Sequence, residues 1–282
     1  AFSIGSEFIE NPSDSTGHKT ITDYQKEKTK QDCELKAFVR MAPALKKDFP
    51  QTPFCISADS LHACGTVMQA CRDNGWSFVL VFKPGRTKTL WENVQGLLTL
   101  NPENKLSVSL PYGTLQRYRW INDVPYVDSQ GRSHIVDAII CEETVNDEMT
   151  TFAWITDLHV TPANIAEIAT KGGRVRSKIE NQGFNIQKNS GMNLEHAYST
   201  GIDTMKSFYY LLQIAHIILQ TIELGSLLQN LAGRYNTSPV KLFGSLKNMA
   251  RRLLDCLRFC VIPAEAFDPA AAVRMHIRFN SS

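Results

Sequence analysis

The chain has no long apolar run, no C-x-x-C pair and no strong surplus of either charge, and each absence removes a class of function. The nearest approach to a membrane span, Ser207 to Ile222, is too short and is broken by Gln213, His216 and Gln220, so a buried core helix is expected there. The opening residues lack the basic start and long apolar stretch of a signal peptide. Seven cysteines, an odd number, argue against a fully paired disulfide framework. Several of them fall in apolar runs, where a reduced cysteine acts as a small hydrophobe, and a cytoplasmic location is expected. Seven histidines are scattered without ligand spacing, which speaks against structural zinc. No G-x-x-x-x-G-K-[ST] loop, G-x-S-x-G elbow or H-E-x-x-H helix is present. No internal repeat or low-complexity tract interrupts a composition suited to one sizeable core of 282 residues. The net charge is only +2.

What is present is local. Gly173-Arg-Val-Arg-Ser-Lys-Ile-Glu-Asn-Gln-Gly-Phe-Asn-Ile-Gln-Lys188 sets one acid, Glu180, among Lys171, Arg174, Arg176, Lys178 and Lys188. On a helix Arg176 and Glu180 are neighbours, and Lys188 lies about two turns further along the same side, with Ile179, Phe184 and Ile186 facing inward. A carboxylate flanked by cations suits a metal ion held together with a phosphodiester. The same spacing suits a solvated helix with an ordinary ion pair. A second basic group, Lys241, Lys247, Arg251, Arg252 and Arg258, shares a late helix with Leu246, Met249, Leu253, Leu254 and Leu257. It reads either as a phosphate-contacting patch or as the wet face of an amphipathic helix.

Upstream, Pro53-Phe-Cys-Ile-Ser-Ala-Asp59 is a short strand ending in an acid. A helix over 61–74 and a strand over 77–83 follow, the pattern of a parallel βαβ unit. Asp59 then sits at the carboxyl end of its strand, where open α/β sheets place ligands, or serves as a helix N-cap. A strand over 1–10, a mostly helical stretch over 22–48 interrupted or bent at Pro43 and a helix from Thr87 to Leu98 complete the first part. Residues 105–160 are β-rich, with runs at Leu115–Val127, His134–Glu142 and Thr151–Val160 separated by turns at Asp128–Gly131 and Asn146–Asp147. Helices are expected over 162–189, 201–230 and 239–260, and a closing strand over 273–279.

Taken together, these segments resemble the DDE-type transposases of bacterial insertion sequences, in particular the insertion-sequence-four type. The family signature is Y-x2-R-x3-E-x6-K on the helix bearing the catalytic glutamate. Arg176 and Glu180 fit it, Gly173 stands at the tyrosine, Gln187 at the lysine, and Lys188 comes one residue late. The run from Ile179 to His196 and the opening Ser3-Ile-Gly-Ser-Glu-Phe-Ile-Glu-Asn11 are similar to one branch of the family, and the likeness covers nearly the whole chain.

The resemblance implies an α/β, ribonuclease-H-like mixed sheet flanked by helices with a β-rich insertion. Residues 1–100 would be the first part of the core, 101–160 the insertion, and 161–282 the helical continuation. It implies an Asp, Asp, Glu triad binding two Mg²⁺ or Mn²⁺ ions, with Asp59 the second aspartate and Glu180 the glutamate. Arg176, Lys188 and Lys178 would contact DNA phosphates, and Asn181 and Lys83 are weaker candidates. Trp91, Tyr118 and Trp120 are candidates for stacking on a displaced base or for the core, and His62 for packing or acid–base work. The implied partners are DNA, at transposon ends and target, and a second copy of the chain on that DNA. The implied setting is a bacterial cytoplasm, at the nucleoid when DNA is bound, with no membrane.

The first aspartate has no good candidate. Asp14 and Asp23 lie in a polar, turn-like stretch, and Asp32 opens a helix. The expectation is an N-terminally truncated chain whose opening strands and first aspartate are lost or lie upstream, poorly soluble in isolation. Two alternatives stay open: an inactive remnant that binds DNA, and a nuclease of the same fold that hydrolyses DNA without strand transfer.

Overall fold

A computed structural model describes residues 2–9 and 33–259 except Arg86 and Ala197, and for Cys33, Leu227 and Leu257 the backbone alone. The expected turn at 11–17, the helix over 22–32, the strand over 273–279, and Asp14, Asp23, Asp32 and Cys260 lie outside these residues. The chain forms two compact units, one of residues 3–183 and one from residue 184 onward.

The first unit is mixed α/β. Its sheet has six strands, β1 (Cys55–Ala58), β2 (Ser77–Val81), β3 (Lys105–Ser109), β4 (Leu115–Val127), β5 (Ser133–Val145) and β6 (Glu148–Thr156), ordered β1-β2-β6-β5-β4-β3. Only β1 and β2 are parallel, joined through α2 (Gly65–Asn74), as the βαβ reading expects. The β-rich block does not stand apart: β6 pairs antiparallel with β2 and carries the sheet outward. Asn146 and Asp147 both take positive φ (49° and 64°), the conformation a two-residue hairpin between β5 and β6 needs.

Period-two alternation assigns the two sheet faces. Phe78, Leu80, Ala138, Ile140, Ala153 and Ile155 pack against Phe38 and Ala42 of α1 (Cys33–Asp48), Val67, Met68 and Cys71 of α2, and Leu90, Val94 and Leu98 of α3 (Lys88–Leu100). On the opposite face, Val79, Tyr118, Trp120, Ile139, Cys141 and Trp154 meet Val160, Ile165, Ile168 and Ala169. Each such fully buried large side chain contributes roughly 1.5–3 kcal/mol. Tyr118 and Trp120 are therefore core residues, not free to stack on a base, while Trp91 is half-buried and lies 4.9 Å from the Phe82 ring beside the first layer.

One expectation fails in this unit and one is narrowed. Residues 2–9 form no strand; Arg40 of α1 holds the segment by donating to Glu7 (2.6 Å) and to the Phe8 carbonyl (3.1 Å). Pro43 does not interrupt α1, which runs unbroken through it.

The second unit is helical: α4 (Ile202–Leu224), α5 (Ser226–Arg234), α6 (Pro239–Leu242) and α7 (Leu246–Phe259). The two long helices expected here are each divided, at Gly225 in extended backbone and at Gly244 with φ 79°. Leu219, Leu228 and Met249 form the core, with Met192, Leu231, Phe243, Leu246 and Leu253 packed on it. Only one stripe of α4 is buried, and Tyr210, Leu211, Ile214 and Ile218 face outward, so the fully buried helix expected at 207–222 is not found. Among the described residues no single helix is long and apolar enough to cross a membrane. Only Ile202–Leu224 with Leu228–Arg234 have the length and composition together, and they are bent by 43°.

Candidate functional site

The site is assembled where a distorted helix crosses the sheet. From Ile165 to Phe184 the chain does not keep the α-helical repeat. It widens to π-helix at Ile168–Gly173, tightens to 3₁₀ at Arg174–Arg176 and widens again at Ile179–Phe184. The sequence reason lies in Gly172-Gly173. A Cβ on Gly172 would stand 2.8 Å from Val79, and one on Gly173 would stand 2.4 Å from the Trp154 indole. The backbone therefore lies directly on β2 and β6, and the Ser57 hydroxyl of β1 donates to the Gly172 carbonyl at 2.8 Å. A tyrosine at position 173 would not fit.

A buried polar anchor fixes the next turn. Arg174 donates to both oxygens of Glu143 on β5 (3.1 and 2.8 Å) and stacks 4.3 Å from the centre of the Phe152 ring. Gln116 donates to the same carboxylate (2.6 Å) and accepts from the fully buried Tyr118 hydroxyl (2.6 Å). Burial pushes the Glu143 carboxyl up, but the hydrogen bonds from Arg174 and Gln116 and the guanidinium charge outweigh it and hold it below its usual value. This anchor was missed by sequence reasoning. Its signal was parity: Glu143 continues the inward series Ile139, Cys141 on β5 and so faces the packed side of the sheet.

Thus held, the helix delivers Arg176 to the end of β1. Asp59 follows β1 directly and caps its own turn: its Oδ1 accepts from the Leu61 N–H (3.0 Å) and pairs with His62 Nδ1 (2.9 Å). It is not an N-cap of α2, where that position belongs to Cys64. Burial raises the Asp59 carboxyl, but the His62 hydrogen bond and charge, the Leu61 N–H and the Arg176 charge overcome this and hold it below its usual value. Arg176 in turn donates to Glu180 Oε1 at 2.6 Å. Arg176 thus pairs with Glu180 and acts on Asp59 through its charge at longer range, and both acids stay reachable, with side chains 47% exposed for Asp59 and 55% for Glu180. His62 packs edge-on against Phe38, the packing role, while contacting the acid.

The remaining expected residues divide. Lys178 and Asn181 lie exposed on the same segment as Glu180, and Lys83 is exposed after β2. Lys188 belongs to the second unit, where it pairs with Glu195 at 2.7 Å. Ile179 and Phe184, expected to face inward, are 54% and 41% exposed because the π-helical turns rotate them out of the α-helical register. Gln187, at the position of the family lysine, is buried in the second unit. It donates to Gln213 (3.0 Å) and His216 Nδ1 (2.8 Å) and accepts from Gln213 (3.2 Å).

Among the described residues no three His, Cys, Asp or Glu side chains are grouped as a ready metal cage. What the site offers a divalent cation is Asp59 and Glu180, hard oxygen donors on exposed carboxylates, the donor type Mg²⁺ takes alongside water and phosphate oxygens. No family model matches the chain, and no curated protein is significantly similar to it.

Proposed function

We propose that this chain is a DDE-type DNA transposase of the insertion-sequence-four kind, with a ribonuclease-H-like core, that cleaves DNA and transfers strands at a site centred on Asp59 and Glu180. The observation that carries the reading is that Asp59, at the carboxyl end of a parallel strand, feels the charge of Arg176, which itself pairs with Glu180, two acids far apart in sequence and both exposed in the first unit.

In this reading Asp59 and Glu180 hold Mg²⁺ or Mn²⁺, two ions in the complete triad. Bound there, the metal supplies activation of a water or 3′-hydroxyl nucleophile and stabilisation of the leaving oxygen. The chain's own residues do the rest. The Leu61 N–H and His62 fix the Asp59 carboxylate, leaving Oδ2 free of these two contacts. Arg176 releases Glu180 as the phosphodiester arrives and turns its guanidinium to the phosphate oxygens, a positioning contact that carries no base sequence. Lys178 adds a second cation on the same exposed turn. The partners are transposon-end and target DNA and a second copy of the chain on it, within a bacterial cytoplasm.

Nicking of supercoiled plasmid in Mg²⁺ or Mn²⁺ tests this. Asp59→Asn and Glu180→Gln are each expected to lower the rate about 100-fold or more. Nicking that survives both substitutions would sink the assignment.

A further inference from the structure

The second unit carries a charge pattern that the Asp59–Glu180 site does not use. Residues 184–259 hold eight lysines and arginines against four acids, whereas residues 1–183 hold twenty against twenty-two. The surplus is concentrated on α6 and α7. Lys241, Lys247, Arg251, Arg252 and Arg258 are all exposed, and none has a carboxylate partner among the described residues. Several cations elsewhere are paired, Arg40 with Glu7, Arg119 with Glu142, Arg132 with Asp128, Arg174 with Glu143 and Lys188 with Glu195. Five exposed cations against the single acid Asp255 on α6 and α7 give this surface a net positive field that an anionic partner complements.

The helix geometry selects the partner. Lys247, Arg251 and Arg258, at offsets of four and seven, fall on one stripe of α7 about 16 Å long, with Asp255 the one acid among them. That is roughly five base-pair steps at 3.4 Å. The opposite side of α7 is already occupied: Met249 is buried, and Leu246, Ala250 and Leu253 pack against the core of α4 and α5. A helix that lies in a membrane surface needs its apolar face free to enter the lipid. Here Leu246, Met249, Ala250 and Leu253 are committed to the core, with Leu254 and Phe259 exposed, and the cations form a ridge on the outer side. The stem of Lys247 lies across Gly191, where a Cβ would come within 3.2 Å of it.

We propose that the α6–α7 ridge of the second unit tracks the phosphate backbone of duplex DNA, apart from the cleavage site. The substrate class rests on the transposase reading; the ridge itself stands on charge and packing. Its contacts are sequence-independent and electrostatic, so they appear as salt dependence of binding.

The test is duplex-DNA binding by the full chain, followed by anisotropy over a range of NaCl concentrations. The triple variant Lys247→Gln, Arg251→Gln, Arg258→Gln is expected to reduce the slope of log K against log salt by about 2–3 and to weaken binding on the order of 10- to 100-fold at 0.1 M salt. Lys46→Gln, Lys47→Gln, Lys105→Gln removes the same charge from the first unit and is expected to leave the slope in place. Should the triple variant fail to fold, acylation of unmodified protein gives the same answer. Duplex DNA is expected to shield Lys241 and Lys247 severalfold while Lys47 still reacts. An unchanged slope, equal acylation with and without DNA, or a ridge that binds anionic vesicles and not DNA overturns the proposal. Loss of nicking in Asp59→Asn and Glu180→Gln together with an α7-independent slope in the unmodified chain condemns only the ridge. An α7-dependent slope without metal-dependent nicking condemns only the cleavage reading.

Discussion

The two units solve the problem of burying a core in opposite ways. In the first, sheet and helices bury an apolar interior on both faces, and its buried acids are each tied by several hydrogen bonds. Asp128 accepts from the Gln130 and Arg132 N–H groups, from Arg132 Nε (2.8 Å) and from His134 (3.1 Å). In the second, a polar trio of Gln187, Gln213 and His216 is buried on α4 and the helix before it, while Tyr210, Leu211, Ile214 and Ile218 on α4 face outward. A sheet fixes each side chain to one face by parity, so apolar residues cannot drift outward without a register slip. Helices joined by short turns have no such constraint, and partners supplied inside the unit make buried amides tolerable.

Substitutions can break this comparison. The largest effect is expected at Gly173, where the family tyrosine would collide with Trp154. Gly173→Tyr should cost about 3 kcal/mol or more in urea unfolding of the first unit. Gly96→Ala, in α3 with nothing within 4 Å of the new Cβ, should instead stabilise that unit by about 0.5–1 kcal/mol. If both behave alike, the close approach to Trp154 is not what the glycine is for.

Next comes Gln187→Lys, the other residue at which the chain departs from the family signature. An ammonium beside Gln213 and His216 is a buried charge with no anion, costing about 3 kcal/mol and melting the second unit before the first. A neutral result would mean that position 187 reaches solvent.

Acid should separate the units more gently. Burial lowers the His216 value below 6.5, so the unfolded chain takes up a proton that the folded unit refuses. Stability of the second unit therefore falls as pH drops from 6.5 toward the folded value, and His216→Leu should flatten that limb. In the first unit burial would raise Asp128, but hydrogen bonds from the Arg132 N–H, His134, the Arg132 side chain and the Gln130 N–H hold it far below 3.8. Its stabilisation is complete above 3.8 and is lost as pH falls further, so Asp128→Asn should flatten only the lower limb. Thermal melts followed at each pH, with near-ultraviolet signal from the tryptophans of the first unit, distinguish the two. A single shared acid transition would mean that the units unfold as one.

These contrasts show how much could be read beforehand. β4, β5 and β6 were legible because alternation and turn residues are local properties: Asp128–Gly131 and Asn146–Asp147 turn where their side chains and positive φ allow. β3 was not singled out, since five residues, three of them serine or lysine, carry little pattern. The neighbours Arg176 and Glu180 were found at their spacing of four, although the helix around them is not regular. Ile179, Phe184 and Lys188 were misplaced because the ideal helix projected them onto faces that the π-helical turns moved and that the boundary between the units interrupts.

Sequence alone determined the strands of the hairpins, the parallel β1–α2–β2 unit, the strand-end place of Asp59 and the ion pair of Arg176 with Glu180. Each depends on residues a few positions apart, whose relation is set by backbone period. Tertiary structure decided that Gly172 and Gly173 lie against Val79 and Trp154, that Glu143 anchors Arg174, that the Arg176 charge is felt at Asp59, and that Gln187 turns into a buried amide pair. Those relations join positions far apart in the chain. They exist only once the sheet offers a surface, because close packing and desolvated hydrogen bonds are properties of surfaces brought together.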